Sequence, residues 1–211
     1  MKRTVLVGIV GGLIAAFPAG AGAATIKGIV LAKEPGRHAI VVASPNGVVR
    51  TVRVKSLRQR VGARVDVRAQ RLRDGTFRAT RVSIKGRARK ALIRRAVVVR
   101  QLRGRLLVSA GGSVFSIRSA ARRTLAAVGS SGFRPGTVIN ATVGITSSGE
   151  LEQDDVQPVG QASTFELEGT VASVVTGSFV LALDDGGATV TVSTGGVALP
   201  PGFVQGAEVE W

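Results

Sequence analysis

The chain has 211 residues, with 29 Lys and Arg against 13 Asp and Glu, one His, and no Cys or Tyr. The lack of cysteine excludes thiolate metal sites, iron-sulfur clusters, disulfide scaffolds and thiol nucleophiles, and one imidazole excludes mechanisms that need two. The 28 glycines and the excess of Val over Leu are typical of short strands and tight turns. These features predict an all-β protein.

The first residues predict a secretory signal peptide over 1–23. Lys2 and Arg3 precede an apolar stretch, 4–17, and small residues that allow cleavage after Ala21 or Ala23. An uncleaved membrane anchor is the alternative, but about 14 apolar residues are fewer than the roughly 20 that span a bilayer. We therefore expect a mature protein that is extracytoplasmic, either secreted or associated with the cell envelope.

Internal repetition is the strongest pattern in the rest of the chain. Segment 62–82 aligns without a gap with segment 136–156, each reading as a glycine turn, an alternating strand, a polar glycine turn and another strand. Segment 165–193 resembles segment 25–54, because each has a G-x-V strand, a turn, a second strand and a hairpin. The residues 45–47 (PNG) and 184–187 (DDGG) supply the two hairpin signals.

The repeats predict three units at 24–85, 96–159 and 165–211, with a basic linker at 86–95. Three strands, a connector and two further strands are the order of a small five-stranded OB-type barrel. We expect a short helix over 119–128 in the second unit, and a third unit that is incomplete because it lacks a fifth strand. Units of about 60 residues are marginally stable alone, so neighbouring barrels should pack together.

The stretches GTVASV, GSFVLALDDGGATVTVS and FVQGAEVE, all within 168–210, resemble a bacterial family of OB-like repeat domains of unknown function. Members of that family occur singly or in tandem in exported proteins. The resemblance is good over 168–210, fair over 25–84 and weaker over 96–156. It implies the fold and an extracytoplasmic setting, and it transfers no catalytic residue.

Charge is divided unevenly along the predicted mature chain. Residues 24–123 contain 26 basic and 3 acidic residues, whereas residues 124–211 contain 1 basic and 10 acidic residues. In the basic half, Arg and Lys alternate with Val, which places the valines in a barrel core and the charges in solvent. The predicted polyanion-binding residues are Arg53, Lys55, Arg64, Arg68, Arg81, Arg87, Arg89, Lys90, Arg94 and Arg95.

A surface of nearly one sign differs from an ordinary soluble surface, which mixes both signs. Arginine pairs well with phosphate, sulfate and carboxylate groups. The expected partner is therefore an anionic polysaccharide, a teichoic-acid-like polymer or an anionic membrane surface. Nucleic acid is disfavoured, because stacking platforms need aromatic side chains and this half contains only Phe77 and Phe115.

The alternative is a structural or assembly module. The repeat alignment matches Arg78 with Glu152 and Arg81 with Asp155, so equivalent positions reverse their charge. Barrels of opposite charge could attract one another, and an open third unit could add a strand, which would allow self-association.

No motif in the chain indicates catalysis. His38 lies in the turn at 34–38 without a nucleophile elbow, and the paired aspartates at 154–155 and 184–185 are not in a calcium-loop pattern. The glycine-rich stretches lack the phosphate-loop sequence. We expect no enzymatic activity, no metal and no cofactor.

Overall fold

The computed structural model describes residues 23–72, 76–119, 132–162, 168–183, 189–196, 198–199 and 203–210. All secondary structure within these ranges is β, which confirms the predicted all-β class. In the same ranges no helix is long and apolar enough to cross a membrane. The predicted signal segment lies outside the described residues apart from Ala23, which begins the first strand. The 184–187 hairpin also lies outside them, as does the predicted helix apart from Ser119, which is not helical.

The first unit is a closed five-stranded barrel in the order β1-β2-β3-β5-β4. The order is that of an OB-fold, as predicted. Inward-facing valines and alanines alternate with exposed polar residues along β4, as a period of two requires. The strands are β1 (Ala23–Glu34), β2 (Ala39–Ala43), β3 (Val49–Arg53), β4 (Ala63–Arg71) and β5 (Phe77–Arg87).

The second unit repeats this barrel in the order β10-β8-β7-β6-β9. Its last two strands begin and end 74 residues after β4 and β5, and the β-bulges in the two strand pairs also fall at equivalent positions. The repeat that the sequence predicts therefore extends to local backbone irregularities. The strands are β6 (Lys90–Leu102), β7 (Arg105–Ala110), β8 (Ser113–Arg118), β9 (Thr137–Ile145) and β10 (Leu151–Gln161).

The third unit forms a four-stranded sheet in the order β13-β12-β11-β14. The last strand pairs antiparallel with the first, and β13 and β14 are the two edges of the described sheet. This is the OB order without its fifth strand. The strands are β11 (Glu168–Val175), β12 (Ser178–Leu183), β13 (Thr189–Ser193) and β14 (Glu208–Glu210).

The prediction of a separate linker at 86–95 is wrong. Strand β5 runs to Arg87 and β6 starts at Lys90, so only two residues separate the barrels. Ala91 and Ile93 are buried in the core of the second barrel, and the basic residues around them face outward. The high density of positive charge concealed a strand with ordinary alternation.

Neighbouring units pack through one repeated interface, as expected for small units. Strand β2 is buried on both sides, because Ile40 and Val42 face the core of the first barrel while Val41 and Ala43 join the core of the second. In the second barrel, Leu107 occupies the position equivalent to Val41 and is buried against the third sheet.

Polar contacts fix the first of these interfaces. The Thr51 hydroxyl donates to the carbonyl of Gly111 at 2.8 Å and also contacts the Ser113 hydroxyl. The amide of Arg94 donates to the carbonyl of Gly47 at 2.8 Å. The hairpin between β7 and β8 therefore stands on the outer surface of β3.

Gly28 provides a test of barrel packing. A Cβ atom at this position would lie 2.3 Å from the carbonyl oxygen of Ala43 and 2.6 Å from a methyl carbon of Val42. Gly28→Ala should lower the free energy of unfolding by about 1–3 kcal/mol, the usual cost of overpacking. Gly36→Ala is the matched control, because a Cβ atom there would have no other atom within 4 Å. Equal urea midpoints for the two variants would contradict the packing described.

Candidate functional site

The outer surface of β1, β4 and β5 carries a cluster of positive charge. Strand β4 lies between the other two, and its outward residues align with outward residues on both sides. We call this surface the basic face, and its cationic residues, all exposed, are Lys27, Arg64, Arg68, Arg78 and Arg81. Of the described residues, the only carboxylate within it is Asp66, which is partly buried.

The register places two arginines of the basic face directly opposite each other. Arg68 on β4 pairs with Arg81 on β5. Side chains opposite each other in an antiparallel pair have Cβ atoms about 5 Å apart, and like charges in that position destabilise a sheet. Within the described part of the chain, neither guanidinium has a carboxylate within 4 Å. This arrangement costs stability unless an anion neutralises it.

A β-bulge brings Arg78 to the same surface. The register shifts between Arg68 and Ala69, so that Thr80 is the extra residue and its hydroxyl donates to the carbonyl of Arg68 at 3.0 Å. Arg78 and Arg81 therefore both point outward although they are three residues apart, whereas regular alternation would place them on opposite faces.

The predicted polyanion-binding residues do not form one patch. Arg64, Arg68 and Arg81 share the basic face, whereas Lys55 is exposed in the loop after β3 and Arg53 is only partly exposed. Arg53 and the buried Glu34 lie in one cross-strand row, because both are aligned with Ala39 of β2.

The other predicted residues lie from the end of β5 through the first part of β6, and of their side chains Arg87 reaches from the first barrel to the second. The Arg87 guanidinium donates to the carbonyls of Thr146 and Ser147 at 2.7 and 2.9 Å, and Lys90 pairs with Asp154 at 2.6 Å. The backbone amide of Arg95 donates to the side chain of Asn140. Arg89, Arg94 and Arg95 are exposed.

Sequence reasoning missed two members of the basic face, Lys27 and Arg78. Lys27 lies next to Asp66 in the register of β1 and β4, and Arg78 lies next to Gln70. The alternation around Lys27 could have identified it as outward-facing. The position of Arg78 depends on the bulge, which has no signature in the local sequence.

The surface that OB-folds commonly use for oligonucleotides and oligosaccharides is not free in the two barrels. That surface is the outer side of the second and third strands. In the first barrel Val41, Val49 and Thr51 lie there and are buried beneath the second barrel. In the second barrel Leu107 lies there, covered by the third sheet. The basic face is on the other strands and remains exposed.

The described residues offer little for chemistry. His38 is exposed in the turn between β1 and β2, and no group of three or more His, Asp or Glu residues within the described ranges could hold a metal ion. Phe115 is 2% exposed, and Phe77 packs partly buried against the core of the first barrel. Neither ring forms a stacking platform on the basic face.

Comparisons with known proteins add no functional assignment. No family model and no curated protein matches this sequence. A solved structure described as "drosophila Unr CSD456" aligns with 89% of this chain and 89% of its own length, at 17% identity and a TM-score of 0.21. A TM-score of 0.21 is too low to indicate a shared fold, and the OB-like assignment is based on the strand order.

The opposed arginines make a stability prediction. Arg81→Gln should raise the free energy of unfolding by about 0.2–1 kcal/mol at low salt, because it removes a repulsive cross-strand pair. The gain should shrink as salt increases, since exposed charges are screened. Arg64→Gln is the control, because Arg64 faces Gly86. The cross-strand repulsion is disproved if urea unfolding shows the same change for both variants at every salt concentration.

Proposed function

We propose that this protein is an exported, non-catalytic binding protein that contacts an anionic envelope polymer or surface through the basic face. The observation that carries the proposal is the opposition of Arg68 and Arg81, an uncompensated repulsion that a bound anion would relieve. If the first barrel had a purely structural role, the repulsion between Arg68 and Arg81 would lower its stability without any functional gain.

The composition of the face favours phosphate, sulfate or carboxylate groups. Arginine presents a planar fork of donors that binds such groups in pairs, and four of the five cations are arginines. A strip of charges on β4 and β5 suits a chain with repeated anionic groups, because each group meets a separate side chain. Teichoic-acid-like polymers, acidic polysaccharides and anionic membrane surfaces share this chemistry.

The location of the face also supports the proposal. The other broad surface of the first barrel is covered by the second barrel, so β4 and β5 supply the exposed sheet surface in its basic half. The lack of exposed aromatic rings on the described part of the face disfavours single-stranded nucleic acid, which is bound largely by stacking.

Assembly between chains is the second candidate. The second barrel has Glu152 and Asp155 exposed at the positions equivalent to Arg78 and Arg81. Within the described residues of one chain, these two acidic residues form no ion pair with the basic face. Complementary surfaces that do not meet within a chain could meet between copies.

The salt dependence of binding tests the proposal. Teichoic acid, an acidic polysaccharide, phosphatidylglycerol vesicles and single-stranded DNA are titrated with the mature protein at low and physiological salt. We expect affinity for an anionic polymer or vesicle to fall log-linearly with salt. In Arg68→Gln/Arg81→Gln, the slope should decrease by about one to two, since each neutralised nucleic-acid phosphate contributes about 0.7–0.9.

The matched control is Arg103→Gln/Arg134→Gln, which removes two exposed charges elsewhere. It should change the slope less than the basic-face pair does. Equal changes would reduce binding to a general effect of net charge, and no binding at low salt would reject the proposal. Sedimentation of the same variants tests the second candidate, assembly between chains. If that candidate is correct, the basic-face variant should lose self-association in the absence of any added polymer.

A further inference from the structure

A groove of about 320 Å³ lies between the first and second barrels. One wall is formed by Leu31, Ala32 and Lys33 of β1, and the other by residues of β7, β8 and the turn between β9 and β10. The volume is at the lower end of the range for small-molecule sites. Its location is distinct from the basic face, whose cationic residues do not line it.

The charged residues of the groove converge from three elements. Lys33 comes from β1, and Arg105 and Arg118 are directly opposite each other on β7 and β8. Arg118 pairs with Glu150 at 2.6 Å, and both side chains remain nearly half exposed. Three cations and one carboxylate give this small volume a net positive charge. An anion beside Arg105 and Lys33 would reduce it, and a doubly charged phosphate would balance it.

The groove also has apolar walls. Ala32 and Val61 line it next to the charged groups and are partly exposed, whereas the lining residues Leu31 and Phe115 are each only 2% exposed. A site that combines apolar side chains with a few convergent donors suits a ligand with both characters. An inorganic anion alone would leave the apolar part of the groove in contact with water.

At the second boundary between units, a long side chain bridges the two units at the equivalent position. Ala32 follows the bulge in β1, and Arg100 occupies the equivalent position after the bulge in β6. The Arg100 side chain extends to the third sheet and donates to the carbonyl of Thr189 at 2.9 Å. At the first boundary the small side chain of Ala32 leaves that space open.

We propose that the groove binds a small organic anion, with a phosphate or carboxylate held by Arg105, Arg118 and Lys33 and an apolar group against Ala32 and Val61. A ligand seated there touches both barrels. It would therefore stabilise their packing by an amount that rises with the logarithm of ligand concentration above the dissociation constant, because it binds the docked arrangement alone.

Phenyl phosphate is the probe, with inorganic phosphate as the control for its anionic group and benzyl alcohol as the neutral control for its aromatic group. Amide chemical shifts of the full mature protein should respond saturably to phenyl phosphate at Ser116, Arg118 and Glu150. Affinity should be higher than for inorganic phosphate, and benzyl alcohol should leave the shifts unchanged. Shifts spread evenly over all arginine-bearing surfaces would overturn the proposal.

Three variants sharpen the test. Arg105→Gln should weaken binding about tenfold, as expected for loss of a hydrogen bond to a charged group. Arg103→Gln, on the adjacent turn outside the groove, should leave affinity unchanged. Glu150→Gln should tighten binding, because it removes the competing carboxylate. Weaker binding by Glu150→Gln, or equal losses in the two arginine variants, would refute the site.

The proposals for the groove and for the basic face can be tested independently. Arg68→Gln/Arg81→Gln should leave phenyl phosphate binding intact, since neither residue lines the groove. Polymer binding that depends on Arg68 and Arg81 would likewise survive Arg105→Gln. Loss of phenyl phosphate binding in the basic-face variant would show that the probe binds general positive charge, which contradicts the groove assignment.

Discussion

The structure depends on the burial of one outer sheet surface of each barrel beneath the next unit. Residues such as Val41 and Leu107 would be exposed on an isolated barrel, yet each is 1% exposed or less. Burying an aliphatic side chain of this size is worth about 1.5–3 kcal/mol. Small barrels without disulfides have limited cores of their own, and this packing adds to the apolar surface that they bury.

This packing determines which surfaces remain for binding. It covers the second and third strands of the first and second barrels, where OB-folds commonly hold their ligands. The exposed sheet surface of the first barrel is therefore formed by β4 and β5. The four arginines of the basic face lie on these two strands. The same packing creates the groove between the barrels, so both candidate sites follow from one structural constraint.

Much of the fold could be predicted from the sequence. Strict alternation of Val with charged residues predicted β4 and its inward face, and the alignment of 62–82 with 136–156, which begin at Gly62 and Gly136, predicted the repeat. Both glycines have a φ of 84° in equivalent turns, a conformation that favours glycine. The prediction was wrong at 86–95, because a dense run of basic residues resembles a linker more than a strand.

The candidate site was less predictable, because it depends on register and on contacts distant in sequence. No local pattern indicates that Arg87 donates to two carbonyls of the second barrel, or that Lys90 pairs with Asp154. The outward position of Arg78 required a bulge. Sequence reasoning identified the charge correctly, but only the fold separates arginines that face solvent from those that hold the barrels together.

Amide chemical-shift mapping with the tightest-binding polymer decides whether the basic face is the binding surface. We expect perturbations concentrated in 64–70 and 78–83, on the basic face, with 39–43 and 49–53 unaffected because they stay packed beneath the second barrel. Perturbation of 39–43 and 49–53, with the basic face unchanged, would mean that the ligand separates the barrels to reach the second and third strands. That result would contradict both the proposed surface and the packing on which it depends.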